Sequence, residues 1–408
     1  MPERCPATTE LHALSLDILV DKCIQQARRV ASRSSDPCVV VSPYRFNPLG
    51  AHIDHQGGQV LARCLDQYTI LCFWPRHDGD FTIHSSINNA QWECTSFKAH
   101  QLQDDFGWDS MVRASATAYS SEYELQNGYE AVVFGTLVSS GLSSSASVIL
   151  AYLTALAFVN DIELSAQQLV ELVRCVENDY RGLNNGVQDQ MSIVFARRKS
   201  IALLDVASVS ASTITDPPNS SQVTFLMCYS GVSRNLVTGS NFNQRVSECR
   251  DAAGLLCDSA RHLGEVPEAL RTEAALAGLP EISRRRASHV FGEMQRVQQG
   301  CAAWKNGNWQ VFGQLMSQSC QSSISNYESG SPWLIDLHEM ASNIEGVFGS
   351  RFSGGGYGGC LFMLVENDKV ATVANQLSSK FLGKYPELSA LARVQIAQSE
   401  STIRVLSS

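Results

Sequence analysis

Residues 129–159 place the tightest constraint on this chain. A strand-like run, Tyr129–Phe134, leads through Ser139-Ser140-Gly141-Leu142-Ser143-Ser144-Ser145-Ala146-Ser147 directly into the apolar helical run Ala146–Val159. A helix N-terminus carries unpaired N–H groups and the positive end of the helix dipole. Gly141 lets backbone approach a ligand closely, and the serines add hydroxyls on small side chains. The arrangement suits an anion, above all a phosphate. It lacks the Gly-Lys-Ser/Thr of a Walker A loop. A plain serine N-cap is the alternative reading of the same residues.

Two further segments carry unusual chemistry. Ser353-Gly354-Gly355-Gly356-Tyr357-Gly358-Gly359-Cys360 lies between two strand-like runs. Five glycines in residues 354–359 are costly to order and poor at packing. They make sense where backbone passes close to a substrate or to the other glycine loop, with a flexible hairpin turn as the alternative. The early segment Pro43-Tyr44-Arg45-Phe46-Asn47-Pro48-Leu49-Gly50-Ala51-His52-Ile53-Asp54-His55-Gln56-Gly57-Gly58 sets polar groups between glycines and prolines. Arg45 suits phosphate oxygens or developing negative charge. Asp54 and His52 suit hydrogen bonds to sugar hydroxyls, although a polar turn with a satisfied Asp would read similarly.

The chain has 408 residues, long for one hydrophobic core, and two domains are expected. The polar, Pro-containing stretch around Thr213–Ser221 marks the boundary, giving 1–210 and 211–408. Mixed strands and helices without strict βαβ alternation predict an α+β protein. An amphipathic helix is predicted over Glu10–Ala31, a short strand over Cys38–Val41 that stops at Ser42-Pro43, meander strands at Val60–Cys64, Tyr68–Phe73 and Phe81–His84, and one helix over Ala166–Tyr180. The net charge of −9 argues against a general nucleic-acid binder. The 13 cysteines show no Cys-x-x-Cys spacing and read as reduced and mostly buried. No secretory signal or membrane-length apolar run is present, so the cytosol is the expected address.

The three segments occur in the order of the three motifs of the GHMP kinases, and the first resembles the galactokinase signature Gly-Arg-x-Asn-x-x-Gly-Glu-His-x-Asp-Tyr. Arg45, Asn47, Gly50, His52 and Asp54 match it. Glu177 to Gln190, ending Gly186-Val187-Gln188-Asp189-Gln190, resembles the family's Gly-Ile-Met-Asp-Gln segment. The resemblance implies a two-domain GHMP kinase fold with the active site in the interdomain cleft, using ATP and Mg2+. It implies Asp189 as catalytic base with Arg45 beside it, Ser145 and Glu177 as the magnesium pair, and Ser139, Ser140, Gly141, Leu142, Ser143, Ser144 and Ser145 as the nucleotide phosphate loop. Ala51, His52, Asp54, Gly186, Phe242 and Gly356 fall at sugar-binding positions.

The departures bear on the substrate. Galactokinases carry a Glu in the Gly-Glu-His triplet, at the sugar's 6-hydroxyl; this chain has Ala51. Losing a charged hydrogen bond to a hydroxyl costs about 1.5–3 kcal/mol. A 6-carboxylate would be repelled by that glutamate by about 4 kcal/mol at 4 Å and an effective dielectric near 20, roughly a thousandfold in affinity. His55 replaces the signature's Tyr and offers a cationic or donor group, and Phe242 stands where relatives have a sugar-contacting Tyr. The segments at 45–58 and 241–249 resemble the galacturonokinase branch. The expected activity is phosphorylation of the anomeric hydroxyl of D-galacturonic acid, with galactose as the alternative substrate and a non-catalytic sugar and ATP sensor as a third reading. Arg63, Arg181, Arg234 and Arg245 are the candidate cations for the 6-carboxylate. His77, His84, His100, His262, His289 and His338 read as surface or satisfied histidines, and Arg284-Arg285-Arg286 as a solvated helix face.

Overall fold

The computed structural model describes residues 14–87, 91–98, 107–137, 141–232 and 241–406. Twelve strands run in chain order: β1 Cys38–Leu49, β2 Val60–Arg76, β3 Asp80–Ile87, β4 Gln91–Lys98, β5 Gly128–Gly135, β6 Ser200–Asp205, β7 Ser210–Thr215, β8 Val223–Tyr229, β9 Val347–Phe352, β10 Cys360–Glu366, β11 Arg393–Ile396 and β12 Arg404–Leu406. They form two sheets. The first has the order β12-β1-β2-β5-β3-β4, with β6 joined to β2 and β7 to β6; the second has the order β11-β8-β10-β9. The fold is α+β, built on these two sheets. β7, which begins at Ser210, pairs with β6, and β12 pairs with β1.

The strand predicted to stop at Val41 runs on to Leu49. Pro43 cannot donate a ladder hydrogen bond, and the register shifts between Pro43 and Tyr44, where two residues of β2 are skipped. The bulge lets β1 continue, and it carries Arg45 into the site. The two predicted strands at 60–64 and 68–73 are one bent strand, β2. Its first part pairs with β6 and its last part with β5. β4 and the helix Pro332–Ser342 went unpredicted.

The helix Ser144–Val159 lies in the core with eleven buried side chains, and Ser147 ties it to β1 through Ser42. The largest hydrophobic cluster runs from this helix through β1 into the second half, reaching Phe225, Trp304 and Phe362. Phe46 is the junction: its ring stacks on Phe362 at 4.2 Å and meets Phe225 edge-on at 4.8 Å. Helices Pro332–Ser342 and Val370–Lys384 cover one face of the second sheet, and helix Leu16–Val30 lies on β1, β2 and β5. The cysteines among the described residues are free thiols, most of them buried. None of the described helices is long and apolar enough to cross a membrane.

Of the basic run predicted as a solvated face, Arg284 alone fits, pairing with Glu281 on the exposed helix surface. Arg286 is fully buried and pairs with Glu248 at 2.7 Å and with Glu328, while Arg285 pairs with Glu328 at 3.0 Å. Partners distant in sequence make burial of that charge tolerable.

Because Phe46 is 1% exposed and joins both halves, Phe46→Ala is expected to lower stability by about 3–5 kcal/mol. Chemical denaturation of the purified variant measures it; a loss under about 1 kcal/mol would mean that the halves do not share this contact.

Candidate active site

Arg45 gathers the site. Its Nε donates to Asp189 Oδ1 at 2.9 Å, and a second guanidinium N–H goes to the same oxygen. A third reaches Ser353 Oγ at 3.1 Å and the Gly141 carbonyl at 3.4 Å. One side chain thus touches the acidic segment and both glycine loops. Asp189 sits in the first turn of helix Gln188–Phe195, where the dipole favours a carboxylate. Arg45 binds only Oδ1, and the Asp189 side chain keeps 19% exposure, so Oδ2 remains open to a ligand.

The two glycine loops meet backbone to backbone. Gly141 has φ +73 and Gly354 φ +66; a Cβ on Gly354 would stand 2.8 Å from the Gly141 carbonyl oxygen, and one on Gly141 3.1 Å from that of Ser353. This close approach, not a flexible hairpin, is what the glycines serve. Gly356 also has positive φ, and its carbonyl accepts from Ser331 N.

Ser143 stands at the N-cap of helix Ser144–Val159 with left-handed backbone (φ 59, ψ 41) and makes no side-chain cap. The plain N-cap reading is therefore wrong. A non-glycine residue there stores about 1–3 kcal/mol of strain. Its Oγ is buried without a partner, and the first-turn amides of the helix lie beside it. An orphaned hydroxyl with free amides fits a phosphate group. Leu142 places its side chain in the core and offers only backbone, its carbonyl accepting from Arg45 N. Ser139 and Ser140 lie outside the described residues.

The helix predicted over Ala166–Tyr180 is α-helical to Arg174 and continues as a π turn over Cys175–Tyr180. The wider turn carries Glu177, a placement common at functional sites. Glu177 Oε1 accepts from Ser145 Oγ at 3.2 Å and Oε2 from Asn185 Nδ2 at 2.7 Å. Burial, then the Asp189 charge, push its carboxyl up to about 7. No cluster of three His, Cys, Asp or Glu able to hold a metal occurs among the described residues. The Ser145–Glu177 pair fits a magnesium ion that takes its other ligands from phosphate and water, because a divalent cation would compensate this buried carboxylate.

Asp54 lies deep beside Gly186, where a Cβ would stand 2.4 Å from its Oδ2. Burial, then Asp189, push the Asp54 carboxyl up to about 6, against hydrogen bonds from the His55 and Gln188 backbone. His52 stacks on Tyr327 at 4.2 Å and meets Ser329 Oγ through Nε2 at 3.2 Å. Phe242 stands edge-on to His55 at 6.0 Å. Of the two roles expected of His55, the cationic one is disfavoured: burial, then Arg250, hold it down to about 3, and its Nε2 meets the Tyr327 hydroxyl at 3.0 Å.

Ala51 is held by residues that sequence reasoning missed or declined. Glu293 Oε2 accepts from the Gly50 and Ala51 amides at 2.9 Å each, and His289 Nε2 donates to the Ala51 carbonyl at 2.9 Å. Both side chains are fully buried on helix Glu281–Lys305. No spacing signal links them to residues 50–51; only the tertiary contact does. Of the candidate cations, Arg63 is bound bidentately by Asp216, Arg245 pairs with Glu248 and Glu328, and Arg234 lies outside the described residues.

Residues 29–75 match the galactokinase galactose-binding signature, 110–197 the GHMP kinases N terminal domain, and 301–383 the GHMP kinases C terminal domain. The chain is 34% identical over 375 residues to a galacturonokinase of Arabidopsis thaliana, covering 86% of this chain and 88% of that one. It is 29% identical to a galactokinase of Roseiflexus sp. (strain RS-1), covering 84% and 87%. The crystal structure of Lactococcus lactis galactokinase complexed with galactose superposes with a TM-score of 0.86 at 26% identity, covering 95% of this chain and all of that one. Methanococcus jannaschii mevalonate kinase shares the fold at a TM-score of 0.63. The chain belongs to the GHMP kinases and, within them, to the galactokinase-like sugar kinases, phosphotransferases that use ATP to phosphorylate an alcohol group.

Proposed function

We propose that this kinase transfers the γ-phosphoryl group of ATP to the anomeric hydroxyl of D-galacturonic acid, giving galacturonate 1-phosphate. The observation that carries the substrate is Ala51: the signature's glutamate is absent, while the peptide it would occupy is clamped from both sides by Glu293 and His289. The position is therefore built, and what it lacks is the charge that would repel a 6-carboxylate. The 34% identity to a galacturonokinase supports the same reading. We take 1–210 and 211–408 as the two catalytic halves, acting in the cytosol.

The residues divide the work as follows. Asp189 Oδ2 receives or orients the anomeric hydroxyl proton, while Arg45 holds Oδ1 and so fixes the carboxylate. Asp54, His52, Gly186, Phe242, Ala51 and Gly356 shape the sugar pocket. The loop from Ser139 through Ser145 and the helix amides behind it hold the triphosphate, and the unpartnered Ser143 Oγ supplies a donor. Ser145 and Glu177 would hold a magnesium ion, which would supply charge neutralisation for the transferring phosphoryl group. Positioning and charge stabilisation then provide most of the acceleration.

A galactokinase with a widened 6-position is the second reading, favoured by the galactose-binding signature over 29–75. Purified enzyme with magnesium and ATP is expected to turn over galacturonate faster than galactose or glucuronate. Ala51→Glu is expected to reverse that order; faster use of galactose by the unaltered chain would exclude the uronate assignment.

Asp189→Asn keeps an acceptor for Arg45, and is expected to lower kcat by about 10²–10⁴ with nucleotide binding retained. Asp189→Ala strands a buried guanidinium and is expected to cost a further 3–5 kcal/mol or so of stability. Near-normal turnover in the Asn variant would remove Asp189 from the chemistry.

The Glu177 carboxyl, pushed up to about 7, is protonated and a poor metal ligand below that pH. The magnesium concentration for half-maximal rate is expected to rise as pH falls from 8 to 6, approaching tenfold per unit below about 7. Glu177→Gln should flatten that dependence. An unaltered enzyme whose magnesium requirement does not change across this range would rule out Glu177 as ligand.

A further inference from the structure

A cavity of about 390 Å³ opens where the chain crosses between its two halves, at residues 216–225 and 396–399. Arg63, Arg198, Lys199, Phe225, Trp304 and Ile396 stand in its wall. It is separate from the catalytic cleft. Arg63 is the cross-strand partner of Phe46, and neighbouring residues of a strand face opposite sides of the sheet, so Arg63 and Arg45 lie on opposite faces.

The wall is asymmetric in charge. Its cations are Arg63, Arg198 and Lys199, and its one carboxylate is Asp216. Asp216 takes both terminal nitrogens of Arg63 at 2.9 Å each, and Glu400 meets Arg198 at 3.2 Å. The Lys199 ammonium enters no ion pair among the described residues. Lys199 is also a non-glycine residue at φ 54, a conformation that costs about 1–3 kcal/mol and persists where the surroundings impose it. Here they do: Lys199 N donates to Ser399 Oγ at 2.9 Å and its carbonyl accepts from Asp216 N at 3.0 Å.

The remaining wall is apolar and aromatic. Phe225 and Trp304 lie parallel at 6.0 Å, with the Arg63 guanidinium 5.6 Å from the Trp304 ring, and Ile396 is 47% exposed. Two buried donors of wall residues, Arg63 Nε and Trp304 Nε1, have no acceptor. Both atoms are shielded from solvent, so they belong to the packing behind the wall and not to the open space.

We infer that this cavity is a second binding site, for a small molecule bearing a phosphate ester on a ring. The phosphate meets Lys199 and Arg198; the ring lies against Phe225, Trp304 and Ile396. The volume is near the lower end for ligand pockets and suits one ring with one phosphate.

Calorimetric titration tests this with the cleft filled by magnesium, a non-hydrolysable ATP analogue and whichever sugar the enzyme turns over. Glucose 1-phosphate is the first probe and AMP the second, so that a sugar ester and a nucleotide are told apart. Binding of either with a Kd below about 1 mM is expected, weakened tenfold or more by Lys199→Glu combined with Arg198→Ala. That variant should keep the kcat/KM of the unaltered enzyme and remain folded at the assay temperature. No binding of either ester at about 10 mM, or equal binding in the variant, would overturn the site. Inorganic phosphate binding as tightly as both esters would overturn the role of the ring wall.

Discussion

The Arg45–Asp189 pair is the contact on which the site depends. A guanidinium at 3% side-chain exposure needs an opposite charge beside it, since an unpaired buried ion costs several kcal/mol. Satisfying it brings a bulged strand, a helix N-terminus and two glycine loops to one point. The same pair leaves one Asp189 oxygen open. Structural need and chemical readiness are thus met by one geometry.

Around that pair the protein collects more carboxylate than it neutralises. Asp54 and Glu177 both feel Asp189, and burial raises both. Arg45 is the fixed counter-charge of Asp189, and Arg181 acts on Glu177 against its burial. The imbalance suits a divalent cation accompanied by a triphosphate, because the cation's positive charge would complete the compensation. The strained Ser143 with its unpartnered hydroxyl belongs to the same logic: the local cost persists where a ligand is to be met.

Much of the site was legible in the sequence because its residues sit in motifs with unusual composition. Arg45, Asp54, Ser145, Glu177 and Asp189 were identified at a distance, and the structure brings them together. Features set by long-range contact were not legible. Pro43 reads as a strand end until β2 skips two residues opposite it. The 166–180 run reads as one helix because a π turn leaves no mark in apolar spacing. His55 reads as a cation or a donor until burial disfavours its charged form. Arg286 reads as surface until Glu248 and Glu328 arrive from other segments.

The sequence by itself determined the kinase family and marked out the glycine loops and the carboxylates that the fold brings together, because glycine clusters and charged residues among apolar runs are local and have few other uses. Only the tertiary structure decided what holds each group and in which charge state. Glu293 and His289 clamp Ala51 from a helix more than 230 residues away, and the glycine loops touch across a gap that no side chain could share. The physical reason is that burial, pairing and close approach are properties of neighbours in space, and the chain's order does not specify those neighbours until it folds.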